Sequence, residues 1–216
     1  AGDCYQVNLT QQLTATYKGD TYSLFRRIIE KHRTPHFAYL KTGQGDILSF
    51  SPESFLSIEN GHICTQPIKG TRQRHPDPSI DQIVANDLLN SAKDRAENIM
   101  IVDLLRNDLG HLAKTGSVKV KQLCELKTFS NVHHLVSHIC AELRDDISPL
   151  QALLACSPGG SITGAPKIRA MEIIDELEDF PRNIYCGSVF LYGHNGRLES
   201  NIAIRTIACY KGQASI

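Results

Sequence analysis

SAKDRAENIMIVDLLRNDLG, residues 91–110, is the stretch on which the fold turns. Ser91 stands three residues before Asp94, a spacing that lets a side-chain oxygen accept from the first orphan N–H groups of a helix. The pattern predicts the longest helix of the chain, about 91–112. Its centre, Ile99-Met100-Ile101-Val102, is apolar on every side, so the helix is expected to be buried rather than to lie on the surface. On either side the periodicity changes from helical to alternating. Upstream, short alternating runs at 4–17, 36–41, 46–50, 54–58 and 62–66 read as strands, with turns at Gly43/Gly45 and at Asn60-Gly61. Downstream, further strands are expected at 117–128, 132–143, 184–193 and 197–210. Helices are predicted at 20–32, capped by Asp20, at about 148–155, and from PGGSITGAPK (158–167) to about 178; 70–82, with Pro76 and Pro78, reads as a loop. Strands come in antiparallel runs and helices in inserted groups. That order defines an α+β chain and not an alternating βαβ one.

Bulk properties narrow the class. A chain of 216 residues can bury about 70% of its unfolded surface, so it needs no covalent staples. Lys plus Arg and Asp plus Glu are equal at 23 each, so no global field draws it to nucleic acid or to a membrane surface. No apolar run approaches the roughly 20 residues of a membrane span. The seven cysteines (Cys4, Cys64, Cys124, Cys140, Cys156, Cys186, Cys209) are scattered and odd in number, without a Cys-x-x-Cys pair. They are expected to be reduced and mostly buried, as suits the cytoplasm. The ends, AGDCYQVNLTQQL and ACYKGQASI, read as strand interiors. One catalytic domain spanning 1–216 and incomplete at both ends is therefore expected.

Five places could carry chemistry, each with a plain structural alternative. In Pro67-Ile68-Lys69-Gly70-Thr71 a lysine follows a strand and precedes a glycine where backbone can approach a ligand; it is a solvated loop lysine or a nucleophile or base. Glu97, one turn after Asp94, is a surface partner of Lys93 or a ligand of a hard cation such as Mg²⁺. In the apolar run 132–139, His133 and His134 fall on opposite faces, so at most one faces a given cleft, as a structural group or a general acid/base. A metal site using His134 and His138 is conceivable, but no Cys-x-x-Cys or His-Glu-x-x-His pattern supports zinc there. PGGSITGAPK is a tight turn with a helix start or an anion cradle; Ala165 stands where a nucleotide-binding P-loop needs lysine, which disfavours nucleotides. Arg205, in the apolar Ile202–Thr206 strand, meets either an internal carboxylate or a ligand's.

The order of these motifs decides more than any one of them. CYQVNLTQ, SPESF, PIKGT, SAKDRAENIMIVDLLRNDLG, VHHLVS, PGGSITGAPK and NIAIRT together resemble the chorismate-binding family, across nearly the whole chain. That family includes anthranilate synthase, isochorismate synthase and component I of aminodeoxychorismate synthase. The resemblance implies two packed antiparallel β-sheets flanked by helices, Mg²⁺ dependence, chorismate as substrate and a glutamine amidotransferase subunit that supplies ammonia. Lysine at position 69 resembles the aminodeoxychorismate branch, since anthranilate synthases usually carry alanine there. Gln6 occupies the position of the water-activating lysine of isochorismate synthases, which points to ammonia as the incoming nucleophile. By resemblance, Lys69 is the nucleophile toward the substrate ring and Glu53 the general acid/base for the departing hydroxyl. His134 assists by proton transfer or charge stabilisation, Glu97 holds Mg²⁺, and Gly70, Thr71, Tyr185 and Arg205 contact chorismate. A glycine-rich chorismate-contacting loop and a second metal carboxylate are implied beyond residue 216. The alternatives are an anthranilate-forming enzyme and a non-catalytic module that docks a glutaminase; the set Lys69, Glu53, Glu97 and His134 argues against the second.

Overall fold

The computed structural model describes residues 2–32 and 34–216. The chain forms two compact units, one of residues 1–55, 157–193 and 198–216, the other of residues 56–156 and 194–197. The first unit opens with β1 (Gln6–Val7), β2 (Thr14–Thr16), α1 (Thr21–Lys31), β3 (His36–Lys41) and β4 (Asp46–Ser51). The chain crosses within β5 (Ser54–Glu59). The second unit holds β6 (His62–Thr65), β7 (Ile68–Gln73), α2 (Pro78–Asn90), α3 (Ala92–Gly110), β8 (Lys119–Thr128), β9 (Val132–Glu142) and α4 (Pro149–Cys156). The return to the first unit adds α5 (Gly160–Thr163), β10 (Gly164–Ala165), α6 (Lys167–Leu177), β11 (Phe190–Tyr192), β12 (Leu198–Asn201), β13 (Thr206–Tyr210) and β14 (Gln213–Ser215).

In the first unit, β2, β14, β13, β4 and β3 form a five-stranded sheet in that order, with every pairing antiparallel. Asp20 caps α1 by accepting from the Ser23 N–H at 2.7 Å. That helix lays Phe25 into a core with Leu48, Phe50 and Cys209; the Phe25 and Phe50 rings are 5.3 Å apart.

The second unit is built on β9. Its later residues pair with β6, its earlier ones with β7, and β8 runs along the opposite edge, all antiparallel. The inner face of α3 carries Asn98, Ile101, Val102, Leu105 and Leu109, spaced three and four apart. Ser91 caps the helix, accepting from Asp94 N–H at 3.3 Å. At the sheet, Asn98 donates to the Leu135 carbonyl at 3.2 Å and accepts from Ser137 Oγ, which itself accepts from the Cys124 N–H. A helix side chain thereby satisfies polar groups in the buried centre of β9.

Several expectations change here. Residues 70–82 are not one loop: β7 continues to Gln73, and Pro78 opens α2 behind an Asp77 cap. Proline at a first helical turn starts a helix, because the N–H it lacks would have no partner there. The α3 centre is not buried all round, since Ile99 is 46% exposed. The run 4–17 holds only β1 and β2; between them Asn8 N–H bonds Thr163 O and Leu13 pairs with Ile216. Residues 183–186 form a turn before β11, and 197–210 splits into β12 and β13. Finally, Cys64 and Cys140 are disulfide-bonded rather than reduced. They are direct cross-strand partners, with Cα atoms 4.1 Å apart, a neighbourhood hidden by 76 residues of separation. Cys4, Cys124, Cys156, Cys186 and Cys209 stand outside that disulfide.

Candidate active site

In the second unit the expected residues gather at the start of β7. The register along β9 runs Lys69 opposite Leu135 and Thr71 opposite His134, so the pairing shifts between them. The extra residue is Gly70, at φ +81. A Cβ there would lie 2.9 Å from Leu88 Cδ1 and 3.0 Å from the Asp94 Cβ, so the bulge presses backbone against α2 and the first turn of α3. Gly70→Ala should therefore destabilise this unit by about 1–3 kcal/mol, from strained φ and the close contact together; urea unfolding measures it. On either side of the bulge, Lys69 is half-buried and the Thr71 hydroxyl sits 2.9 Å from His134 Nδ1. His134 is buried, its ring edge-on to Phe129 at 5.4 Å.

The neighbouring histidine has a different task. His133 Nε2 lies 2.9 Å from the Asp81 carboxylate and Nδ1 2.9 Å from Thr128 Oγ1. Asp81 also accepts from Arg74 and from the His75 N–H. Arg74 first, then the His75 amide and the His133 ring, hold the Asp81 carboxyl well below the usual carboxylate range. The two imidazoles are thus divided as alternation predicts, one into a structural network and one beside Thr71.

Asp94, against Gly70, is paired to Arg72 at 3.2 Å. Glu97 stands one turn further along α3, its side chain 33% exposed, with Lys93 Nζ at 3.9 Å. A pair that long and exposed is weak and leaves the carboxylate oxygens open to a hard cation. Glu97 therefore fits the role of one oxygen donor to Mg²⁺.

In the first unit, the backbone at Glu53 and at the turn after Tyr185 meets the segment 202–205. Glu53 is buried in the turn between β4 and β5; its N–H donates to Ser51 Oγ and its carbonyl accepts from Ile202 N–H at 3.1 Å. Arg205 accepts at its carbonyl from Phe50 N–H at 3.0 Å. The Tyr185 turn is clasped there as well, Cys186 N–H donating to Ala203 O and Ala203 N–H to Gly187 O. Burial pushes the Tyr185 hydroxyl up from its ordinary value. Arg205 is not the strand-interior charge expected: it is exposed, with φ 52, in the bend between β12 and β13. Ile202 and Ala203 are buried, but residues 202–204 spend their amides outside a ladder, which breaks the strand.

PGGSITGAPK is folded as α5, β10 and the approach to α6. Gly164, at φ +144, would place a Cβ 2.1 Å from the Gln6 carbonyl, so only glycine lets β10 lie against β1. Sequence reasoning passed over Arg182 and Glu178. They form a nearly buried pair at 2.6 Å, and Arg182 also donates to Ile162 O and Asn8 O. The pair lines a cleft of about 560 Å³ shared with Tyr185, Thr163 and Asp175. Its only sequence signal was an i, i+4 charge pair at a helix end, too common to single out.

The profile of chorismate binding enzymes matches residues 1–216, and the chain belongs to that family. It is 53% identical over 213 residues to component 1 of aminodeoxychorismate synthase from Salmonella typhimurium, covering 99% of this chain and 47% of that protein. To anthranilate synthase component 1 of Acetivibrio thermocellus it is 40% identical, over 100% of this chain and 44% of the relative. The chain thus spans about half the length of the curated relatives it matches. The crystal structure of anthranilate synthase component I from Streptococcus pneumoniae superposes with a TM-score of 0.91 at 34% identity, over all of this chain and 47% of that one. The fold is therefore α+β of the anthranilate synthase component I type.

Proposed function

We propose that this chain is the core of an aminodeoxychorismate synthase component I, converting chorismate and ammonia into 4-amino-4-deoxychorismate on the way to para-aminobenzoate and folate. The observation that carries the reading is Lys69, half-buried at a β-bulge whose next residue, Thr71, bonds His134. The likeness to the Salmonella typhimurium protein supports it.

In this reading the Lys69 amine, once deprotonated, forms a bond to ring carbon C2 while the ring double bonds shift and the C4–oxygen bond breaks. Hydroxide is a poor leaving group, so Glu53 protonates it and water departs. Ammonia then bonds to C4, the double bonds shift back and the C2–lysine bond breaks. The covalent step divides one difficult displacement into two easier ones. His134, steadied by Thr71, moves a proton or balances charge beside the lysine. Gly70, Thr71, Tyr185 and Arg205 contact the substrate, Arg205 as a partner for a carboxylate. Glu97 would hold Mg²⁺, which supplies positive charge to a substrate carboxylate when bound. Ammonia comes from a glutamine amidotransferase partner, and the setting is cytoplasmic; no helix among the described residues is long and apolar enough to cross a membrane.

Mass spectrometry of products from the enzyme supplied with chorismate, Mg²⁺ and ammonia tests the reading. Retention of the enolpyruvyl group is expected. Anthranilate with released pyruvate would assign the chain to the other branch, which the 40% identity to the Acetivibrio thermocellus enzyme keeps in view. Glu97→Gln should raise the Mg²⁺ concentration needed for half-maximal activity by roughly tenfold or more, because one anionic ligand becomes neutral. Superimposable Mg²⁺ titrations would return Glu97 to the role of a surface partner of Lys93.

A further inference from the structure

Outside the site described above, three soft donors meet on the sheet of the second unit. Cys64 on β6 lies directly opposite Cys140 on β9, Cα to Cα 4.1 Å. His138 precedes Cys140 by two residues and so projects from the same face. Its Nε2 is 3.1 Å from Cys140 Sγ. One ligand atom from each of the three residues lies within 4.8 Å of the others, and all three side chains are half-buried. Cys140 also lines a cleft of about 330 Å³ with His62, Ser117 and Lys119, which gives solvent and ions a way in.

We propose that, in its dithiol form, this cluster binds one Zn²⁺ through Cys64, Cys140 and His138. The donor set is two sulfurs and a ring nitrogen, which suits a borderline-soft d¹⁰ cation and not the hard, oxygen-seeking Mg²⁺. Three protein ligands leave a fourth position for water. The ligands come from neighbouring strands whose backbone pairing already holds them together, so little chain ordering remains to be done on binding. In the disulfide form the sulfurs are occupied by each other. A dithiol reductant delivers two electrons and two protons, breaking the S–S bond to give two thiols and becoming a disulfide itself; Zn²⁺ then displaces the two thiol protons and forms two Zn–S bonds. The cluster has two exclusive states, closed by oxidation or closed by metal, and either one ties β6 to β9. This site is independent of the proposed reaction, and its test needs no turnover.

The purified protein, reduced without oxygen and freed of reductant, is titrated with Zn²⁺ against a chromophoric chelator, with Co²⁺ as the spectroscopic probe. One equivalent of Zn²⁺ is expected, with a sulfur-to-cobalt charge-transfer band for Co²⁺, and excess Mg²⁺ should displace neither. Cys64→Ser and Cys140→Ser should abolish the band, His138→Ala should weaken binding at least about tenfold, and Cys124→Ser should leave it unchanged. A reading without mutation guards against misfolded variants: Zn²⁺ should protect Cys64 and Cys140 from alkylation, mapped by peptide mass spectrometry. No Zn²⁺ uptake by the reduced protein, uptake undiminished in Cys64→Ser, or protection confined to other cysteines would overturn the proposal.

Discussion

Replacing Lys69 with alanine should lower aminodeoxychorismate formation by at least about a thousandfold, because the step lost is the covalent one. The same variant should show no chorismate adduct by intact-protein mass spectrometry, while its far-UV spectrum stays that of the parent. Lys69 sits at a bulge in β7, half-buried, with β9 behind it, so its removal takes away a nucleophile without hollowing the core. Lys69→Arg should be nearly as inactive. A guanidinium keeps its proton at any working pH and offers no free electron pair. An adduct that survives at full yield in Lys69→Ala would remove the lysine from the chemistry.

The largest stability effect is expected at the joint between α3 and β9, behind the strand that faces Lys69. Asn98 is completely buried and joins α3 to β9 through the Leu135 carbonyl and the Ser137 hydroxyl. Asn98→Ala leaves both strand groups without that partner in a place water does not reach, and opens a void. Together these should cost about 2–4 kcal/mol. Urea unfolding should show a lower midpoint with an unchanged slope. A loss below roughly 0.5 kcal/mol would mean that water or a shifted side chain replaces the amide, and that the helix–sheet joint does not depend on it.

How much of this was legible beforehand depends on the range of the interaction. The Ser91 and Asp20 caps, the Asn60-Gly61 turn and strands β3 to β6 could be read directly, since each rests on residues a few positions apart. Alternation likewise separated His133 from His134. The α2 start was misread because proline serves both as a breaker and as a helix opener, and the choice depends on the Asp77 cap behind it. The all-apolar centre of α3 promised burial on every side, yet Ile99 is exposed in this chain; a helix pattern says what could be covered, not what covers it.

The candidate site divides in the same way. Its residue types and their order, from SPESF through PIKGT to NIAIRT, stand in the sequence and are enough to place the chain in its family. Tertiary structure alone decided that Gly70 is a bulge pressed on Asp94, that Thr71 bonds His134, and that Arg205 lies in a bend rather than within a strand. It alone paired Cys64 with Cys140 and brought His138 to them. The reason is physical. Caps, turns and periodicity are set by neighbours along the chain, whereas register, bulges and cross-strand meetings are set by which distant strand wins the pairing, and that contest is settled by the burial of the whole sheet at once.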